Sequence, residues 1–176
     1  TGTLGVHAVV FGLALGLSRI VPIARNRDRL DRLAGLAPGR ITPIVIDGKP
    51  VAERIKAATD GLGVDILLDC LTRGVPADTT NDALKGLRRG GVAVNIGALN
   101  QPVTLDPIWL MVNAAQYRGS NWFTVAQGEE MAGLARDGLV DFSLFENRVY
   151  PLDRVNEALD EVGRNHGGFV NIVVRP

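Results

Sequence analysis

The feature that most constrains this sequence is a repeated alternation between short β-branched runs and segments with helical periodicity. Five runs predict strands, the last of them weaker than the others: residues 19–24, 41–46, 65–70, 92–96 and 116–121. Apolar residues recur at helical spacing between them, which predicts helices at about 28–36, 51–59 and 79–87. This order is typical of βαβ units around a parallel sheet whose strands are buried on both faces. The sequence therefore predicts an α/β fold with a doubly wound parallel sheet.

Glycine and proline mark the joints of the predicted elements. Gly61 and Gly63 precede the third run, and Gly90 and Gly91 precede the fourth, where a turn needs residues that tolerate positive φ. Pro22 lies inside the first run and lacks the N–H that a sheet ladder needs, so we expect that strand to have a disturbed centre. Beyond residue 122 the pattern predicts a helix, a strand, a second helix and a terminal strand, at about 125–137, 144–149, 152–162 and 169–174.

Charge and cysteine content exclude several classes of protein. The 19 basic and 19 acidic side chains give a formal net charge of zero, which argues against a nucleic-acid scaffold or a protein of anionic membranes. Cys70 is the single cysteine, so the chain alone cannot build a disulfide framework or a cysteine-rich zinc site, and a reducing, cytoplasmic compartment is indicated. His7 and His166 are too few and too isolated to predict a metal cluster. We expect His7 to be a hydrogen-bonded helix histidine.

The chain opens with Thr1, Gly2, Thr3, Leu4 and Gly5, which supply the last two glycines of a G-x-G-x-x-G fingerprint and lead directly into an apolar helix. In that motif Gly2 would let the backbone approach a pyrophosphate, and Gly5 would allow the helix to pack closely on a strand. The N–H groups at the helix start would hold the negative charge. These residues are therefore candidates for binding a dinucleotide. An ordinary glycine-containing turn before a buried helix explains them equally well.

The helix predicted over residues 6–17 is apolar nearly all round, with His7 as almost its only polar side chain. A helix of this kind is buried on all sides. We therefore expect another layer or another chain to cover it. We also expect a first strand beneath it, upstream of Thr1, which would make the sequence a fragment.

Polar residues end the β-branched run that follows this helix. In the fingerprint, the residue that binds the ribose comes about 20 positions further on. Arg25 lies 23 residues after Gly2 and is followed by Asn26 and Arg27. A carboxylate here would bind the ribose hydroxyls, whereas arginine forms two-point contacts with a phosphate group. These residues therefore predict NADP rather than NAD. The alternative is that Arg25 and Arg27 are solvated charges that open the next helix.

Several segments along nearly the whole chain share one family pattern. They are residues 1–6, 24–30, 59–65, 68–70, 87–92 with 95–97, 150–159, and 167–168. In order and spacing they resemble the zinc-type medium-chain dehydrogenase/reductase superfamily, which includes the alcohol dehydrogenases and quinone reductases. The resemblance implies a Rossmann-type sheet whose first strand is missing here. It also implies hydride transfer between NADP(H) and an alcohol, a carbonyl or an activated alkene.

The resemblance further implies that residues after three strands bind the nicotinamide end of the cofactor. Those after the third and fourth strands would line the cleft: Cys70, Leu71, Ile96, Gly97 and Ala98. Those after the fifth would lie against the carboxamide: Ser120, Asn121 and Trp122. Asn171 would approach the cofactor from the terminal strand. Packing or turn geometry is the alternative role at each position, and Cys70 is more simply a buried small apolar residue.

By the same resemblance, residues 1–142 would form the NADP-binding domain, and residues 143–176 a strand–helix–strand segment that returns to an absent substrate domain. That domain would supply the catalytic residues and any zinc, so neither a catalytic nor a metal-binding residue is predicted in this chain. The strand at 116–121 is expected at the sheet edge, where subunits would join into a homodimer or homotetramer. Small-molecule substrates are the other expected partners, with no nucleic acid or membrane.

Two other functions remain open on the sequence. One is a nucleotide-binding module without catalysis, which would act as an NADP(H) sensor or a structural protein. The other is a methyltransferase on a similar sheet, which would need an acidic residue where Arg25 stands.

Overall fold

A computed structural model describes residues 2–164 and 167–176. We number helices and strands in chain order. Within the described residues they are α1 Thr3–Ala14, β1 Ile23–Ala24, α2 Arg27–Leu36, β2 Ile44–Val45, α3 Val51–Ala57, β3 Val64–Asp69, α4 Asp78–Ala83, β4 Leu87–Asn95, α5 Pro107–Asn113, β5 Gln116–Gly119, α6 Val125–Arg136, β6 Glu146–Pro151, α7 Val155–Arg164 and β7 Val170–Arg175. Short 3-10 turns lie at Leu84–Gly86, Phe142–Leu144 and Leu152–Arg154. The predicted α/β class is confirmed.

The chain divides into two compact units, each of which is described by itself. One unit is Arg19–Trp122, which carries β1 to β5 and α2 to α5. The other joins Thr1–Ser18 to Phe123–Pro176 and carries α1, α6, α7, β6 and β7. The domain boundary expected between residues 142 and 143 stays a prediction.

All strand pairs in the unit Arg19–Trp122 are parallel, as the β-branched runs predict. One sheet pairs β1 with β2, and the other has the order β3-β4-β5. In the second sheet Leu67, Ala93 and Tyr117 stand opposite one another, so their side chains share one face. On that face they pack with Leu84 and Leu87 in an apolar core. The five strands thus run as predicted, but they form two sheets rather than one.

Pro22 shortens β1, as expected. Ile44 N–H donates to Pro22 O at 2.9 Å and Ile46 N–H donates to Ala24 O at 2.7 Å, so Pro22 still accepts from β2. It has no N–H to return, and regular pairing is therefore limited to Ile23–Ala24. Upstream of the proline, Ile20 forms only an isolated bridge with Ile41.

Strands β1 and β3 each have one edge that is unpaired among the described residues. In a parallel ladder, alternate residues direct both N–H and C=O to the same side. Pro22 and Ala24 bond to β2, so Val21 and Ile23 direct their backbone groups away from it. Both sheets pack against α3, because Ile55 shares one core cluster with β1, β2 and β3 residues. Among the described residues β1 pairs only with β2, and β3 only with β4.

Two features of this unit differ from the predictions for identifiable reasons. The turn expected at Gly90 and Gly91 lies inside β4, because Gly90 adopts φ of 76° within a strand that begins at Leu87. The pairing of β3 with β4 shifts register beside it, between Val64 and Ile66. Helix α5 was not predicted. Its signal is Asp106, whose carboxylate accepts from the N–H groups of Ile108 at 2.9 Å and Trp109 at 3.0 Å, followed by proline at the first turn.

In the second unit, α1 packs against aromatic residues, and β6 pairs with β7 in parallel. His7 Nδ1 donates to Thr3 O at 2.8 Å and its ring stacks on Phe145 at 4.4 Å, which confirms a hydrogen-bonded helix histidine. Helix α1 ends at Ala14 rather than residue 17, because Gly16 turns the chain with φ of 82°. Leu15 therefore lies beyond the helix and is exposed. Among the described residues, no helix combines the length and apolar character that crossing a membrane requires.

Candidate nucleotide-binding site

The carboxyl ends of β3, β4 and β5 meet at one edge of the three-stranded sheet. Their last residues, Asp69, Asn95 and Gly119, are in register. Ile96 N–H and Gly97 N–H both donate to Asp69 O at 3.0 Å, and Ser120 N–H donates to Asn95 O at 2.9 Å. This edge therefore brings together eight predicted site residues: Cys70, Leu71, Ile96, Gly97, Ala98, Ser120, Asn121 and Trp122. In open parallel sheets, ligands bind outside this end of the strands.

Gly97 allows the ends of β3 and β4 to approach in direct backbone contact. A Cβ built at this position would lie 2.1 Å from Leu71 O and 2.8 Å from Leu71 N. Real side chains do not tolerate such distances, and neither atom belongs to a side chain that could rotate away. Glycine is thus required at position 97 for the present path of residues 70 and 71.

The thiol of Cys70, which lies at the same edge, is protonated and weakly reactive. Burial, and secondly the negative charge of Asp69, raise the pKa of Cys70 to about 11. Because only the thiolate is strongly nucleophilic, Cys70 is inert at neutral pH. Its side chain offers the edge a small apolar surface, which is the role that the sequence favoured.

Asp69 and Thr80 form a buried polar pair directly behind this edge. The side chain of Asp69 is on the face of β3 that carries Leu67, and the residue is only 6% exposed. Leu71 N–H donates to Asp69 Oδ1 at 2.9 Å, and Thr80 Oγ1 of α4 donates to Asp69 Oδ2 at 2.8 Å. Sequence reasoning missed both residues, although an acidic residue ending a buried strand was a usable signal.

The residues after β1 differ in what their side chains do. Asn26 caps α2, since its side-chain oxygen accepts from Arg29 N–H at 2.8 Å. Arg25 and Arg27 are exposed, and neither forms a hydrogen bond or ion pair within the part of the chain that the structure describes. Two guanidinium groups therefore remain available beside the end of β1, while the side-chain oxygen of Asn26 is occupied by the helix cap.

The remaining predicted site residues belong to the second unit. Gly2 is the N-cap of α1, and no described side chain accepts from the first-turn N–H groups. Thr3 and Leu4 are exposed and Gly5 is buried. The Thr3 hydroxyl accepts from Gly168 N–H at 3.3 Å. Asn171 lies in β7 and donates to Asn147 Oδ1 at 3.2 Å.

No group of three or more His, Cys, Asp or Glu in residues 2–164 and 167–176 is placed to hold a metal ion. His166 lies outside the described residues.

Comparison with protein families matches residues 3–137 to the family described as zinc-binding dehydrogenase. The chain belongs to the zinc-binding dehydrogenase family. This confirms the resemblance that the glycine, arginine and strand-end segments indicate. The described residues contain no ligand set for the zinc of the family's name.

Relatives of this zinc-binding dehydrogenase chain include alcohol dehydrogenases. The class-3 enzyme of Myxine glutinosa is 28% identical over 167 residues, which are 90% of this chain and 43% of that protein. The solved alcohol dehydrogenase from Thermus sp. ATN1 has a TM-score of 0.78 and 24% identity, over 99% of this chain and 50% of that one. A protein from Sinorhizobium meliloti 1021, bound to NADP, has a TM-score of 0.80 and 20% identity, with the same coverage. The chain spans about half the length of the relatives that it matches.

In this zinc-binding dehydrogenase chain, each of the two units by itself offers groups that suit part of a ligand. The first turn of α1 has N–H groups without a side-chain cap, which suits a pyrophosphate. The guanidinium groups after β1 suit a further phosphate. The residues that follow β3 and β4 present backbone groups and small apolar side chains, which suit contact with a flat ring.

Proposed function

We propose that this chain is the nucleotide-binding portion of an NADP(H)-dependent oxidoreductase that acts on an alcohol, a carbonyl or an activated alkene. Family membership supports the oxidoreductase class. The observation that supports NADP(H) is the pair of exposed, unpartnered guanidinium groups of Arg25 and Arg27 among the described residues. When bound, the nicotinamide would supply or accept the hydride.

Arg25 and Arg27 would bind the 2′-phosphate of the adenosine ribose. Both follow β1 directly, and α2 begins at Arg27, so the backbone that presents them is held at both ends. Asp28 is the nearest carboxylate, and its charge in the first turn of α2 suits the helix dipole. An arginine pairs with a phosphate in a two-point geometry that a ribose hydroxyl cannot match.

Gly2, Thr3, Leu4 and Gly5 would hold the pyrophosphate through the backbone at the start of α1. The absence of a capping side chain among the described residues leaves these N–H groups for a ligand, and the helix dipole favours negative charge there.

Cys70, Leu71, Ile96, Gly97 and Ala98 would form the wall against which the nicotinamide ring lies. The raised pKa of Cys70 keeps its thiol uncharged, so this part of the wall is apolar and excludes water. Ser120, Asn121 and Trp122 would approach the carboxamide. Asn171 would contribute from β7 only by exchanging its hydrogen bond to Asn147 for one to the cofactor.

Titration with NADPH and NADH, followed by energy transfer from tryptophan to the reduced nicotinamide, tests the proposal. We expect tighter binding of NADPH. The variant Arg25→Ala should weaken NADPH binding by about ten- to a hundredfold, the loss of one charge-assisted contact, and should leave NADH nearly unchanged. Arg136→Ala removes an exposed arginine at the end of α6 and serves as the matched control.

Equal losses for both cofactors, or a wild-type protein that prefers NADH, would contradict the NADP assignment. Binding of S-adenosylmethionine in place of either cofactor would favour a methyltransferase instead. Binding of NADPH without turnover by the whole protein on alcohols, carbonyls and alkenes would favour a sensor.

We also propose self-association through β5. This strand is an edge of its sheet within the described residues, and Gln116, Arg118 and Gly119 are exposed. Helix α5, which precedes it, exposes 70% of Ile108 and 74% of Met111. Unpaired backbone groups beside an apolar surface favour pairing with a second copy into a homodimer or homotetramer.

A further inference from the structure

Asp69 is a buried carboxylate at the point where three segments of the unit Arg19–Trp122 meet. Its two oxygens accept from Leu71 N–H and from the hydroxyl of Thr80, at 2.9 and 2.8 Å. Thr80 is itself buried and belongs to α4. A carboxylate away from water is tolerated when hydrogen bonds replace its hydration, and these two bonds do so.

The backbone of Asp69 adds a second set of contacts. Its carbonyl oxygen accepts from both Ile96 N–H and Gly97 N–H at 3.0 Å. One residue therefore ties together the turn after β3, the helix α4 and the end of β4.

The carboxylate is held by two protein groups, the N–H of Leu71 and the hydroxyl of Thr80. Asp69 shares the face of β3 that packs under α4, in register with Asn95. Its influence on a ligand would therefore pass through the backbone of residues 70–71 and 96–97. The close approach of residue 97 to Leu71 O makes that backbone sensitive to small shifts.

We propose that Asp69, supported by Thr80, is a positioning residue that fixes the backbone of residues 70–71 and 97 in the path that receives the nicotinamide ring. The inference rests on the proposed NADP(H) function. A general structural role of Asp69 would affect binding of the whole ligand, whereas this positioning role affects only its nicotinamide end. The 2′-phosphate and the pyrophosphate would bind elsewhere, at Arg25 and at the start of α1.

The test compares two ligands on the same protein. NADPH contains the nicotinamide ring, whereas 2′-phospho-ADP-ribose keeps the 2′-phosphate and both bridging phosphates without it. Asp69→Ala should weaken NADPH binding about tenfold, because the backbone that contacts the nicotinamide is no longer fixed, and should change binding of 2′-phospho-ADP-ribose less than about twofold. Asp69→Asn keeps an oxygen for Leu71 N–H and should restore most of the NADPH affinity.

If Asp69→Ala does not fold, Thr80→Val is the variant to test, because Thr80→Val removes a single hydrogen bond and keeps the side-chain shape. It should weaken NADPH binding by a few fold with the same preference between ligands. The control is Thr79→Val, since Thr79 neighbours Thr80 on α4 and has no side-chain hydrogen bond within the described residues. Unfolding temperature is measured for every variant.

Each outcome tests either the positioning role of Asp69 or the proposed NADP(H) function. Equal weakening of both ligands, or unchanged NADPH binding in Asp69→Ala and Thr80→Val, would overturn the positioning role and leave the proposed function standing. A wild-type protein that binds 2′-phospho-ADP-ribose and NADPH with equal affinity would also overturn it. Failure of the wild type to bind either ligand would overturn the proposed function, and this inference with it.

Discussion

Replacing Gly97 by alanine should force apart the ends of β3 and β4. An added Cβ would lie 2.1 Å from Leu71 O, 2.8 Å from Leu71 N and 2.9 Å from the Cys70 carbonyl carbon. Ordinary van der Waals contact begins at 3.4 Å, so the Leu71 oxygen must retreat by about 1.3 Å, the difference between 3.4 and 2.1 Å. All three atoms are backbone, so no rotamer change relieves the clash.

The expected cost follows from what this shift disturbs. Overpacking of a close contact costs about 1–3 kcal/mol. Moving the two strand ends apart also weakens the bonds from Ile96 N–H and Gly97 N–H to Asp69 O, each worth about 1 kcal/mol. We expect Gly97→Ala to lower the free energy of unfolding by about 3 kcal/mol.

Urea denaturation followed by far-UV circular dichroism measures this loss as a lower midpoint at unchanged slope. The control is Gly119→Ala at the end of β5, where an added Cβ meets nothing within 4 Å. That variant should change stability by less than about 0.5 kcal/mol. Equal midpoints for the two variants would refute the close approach of residue 97 to Leu71 and, with it, the reason for glycine at this position.

Four other expected outcomes concern Cys70, the cap of α3 and the edge strand β5. Cys70, whose pKa is raised to about 11, should react with a disulfide reagent far more slowly at pH 8 in the folded protein than in urea, and rapid labelling of the native protein would contradict its burial. The stability that its protonated thiol contributes is complete below the ordinary pKa of 9.0 and should decline as pH rises toward about 11, which urea titrations across that range would detect. Asp82 accepts from the N–H groups of Val51 and Ala52 at the start of α3. Asp82→Ala should therefore lower the unfolding free energy by about 1–2 kcal/mol, and the control Asp78→Ala should lower it less. Equal losses of stability in the two variants would contradict the role of Asp82 as the cap of α3. Sedimentation of the whole protein at micromolar concentration should show a dimer or tetramer, with Met111→Glu shifting it toward monomer, whereas a wild-type monomer would contradict pairing at β5.

The order of elements could be predicted from the sequence because buried parallel strands are rich in β-branched residues and helices repeat their apolar positions. The start of β4 could not, because Gly90 and Gly91 signal a turn while the register shift lets the strand continue through them. The length of β1 depends on a tertiary ladder, and Pro22 removes one donor from it.

The candidate site likewise has features that could be predicted from the sequence and features that could not. Strand ends were identifiable, since residues after parallel strands share one edge, and Cys70, Leu71 and Gly97 do follow the ends of β3 and β4. Asn26 could not be separated from its neighbours by sequence, because the same residue types bind phosphates and cap helices. The pair of Asp69 and Thr80 is joined only in the folded chain, eleven residues apart.

The unpaired edges of β1 and β3 give those strands an alternating exposure to amide exchange. Val21 and Ile23 direct their backbone groups away from β2, and Ile66 and Leu68 direct theirs away from β4, because Asp69 O points toward β4. Every second amide in each strand should therefore lose its hydrogen to solvent quickly, while its neighbours are protected by the ladder.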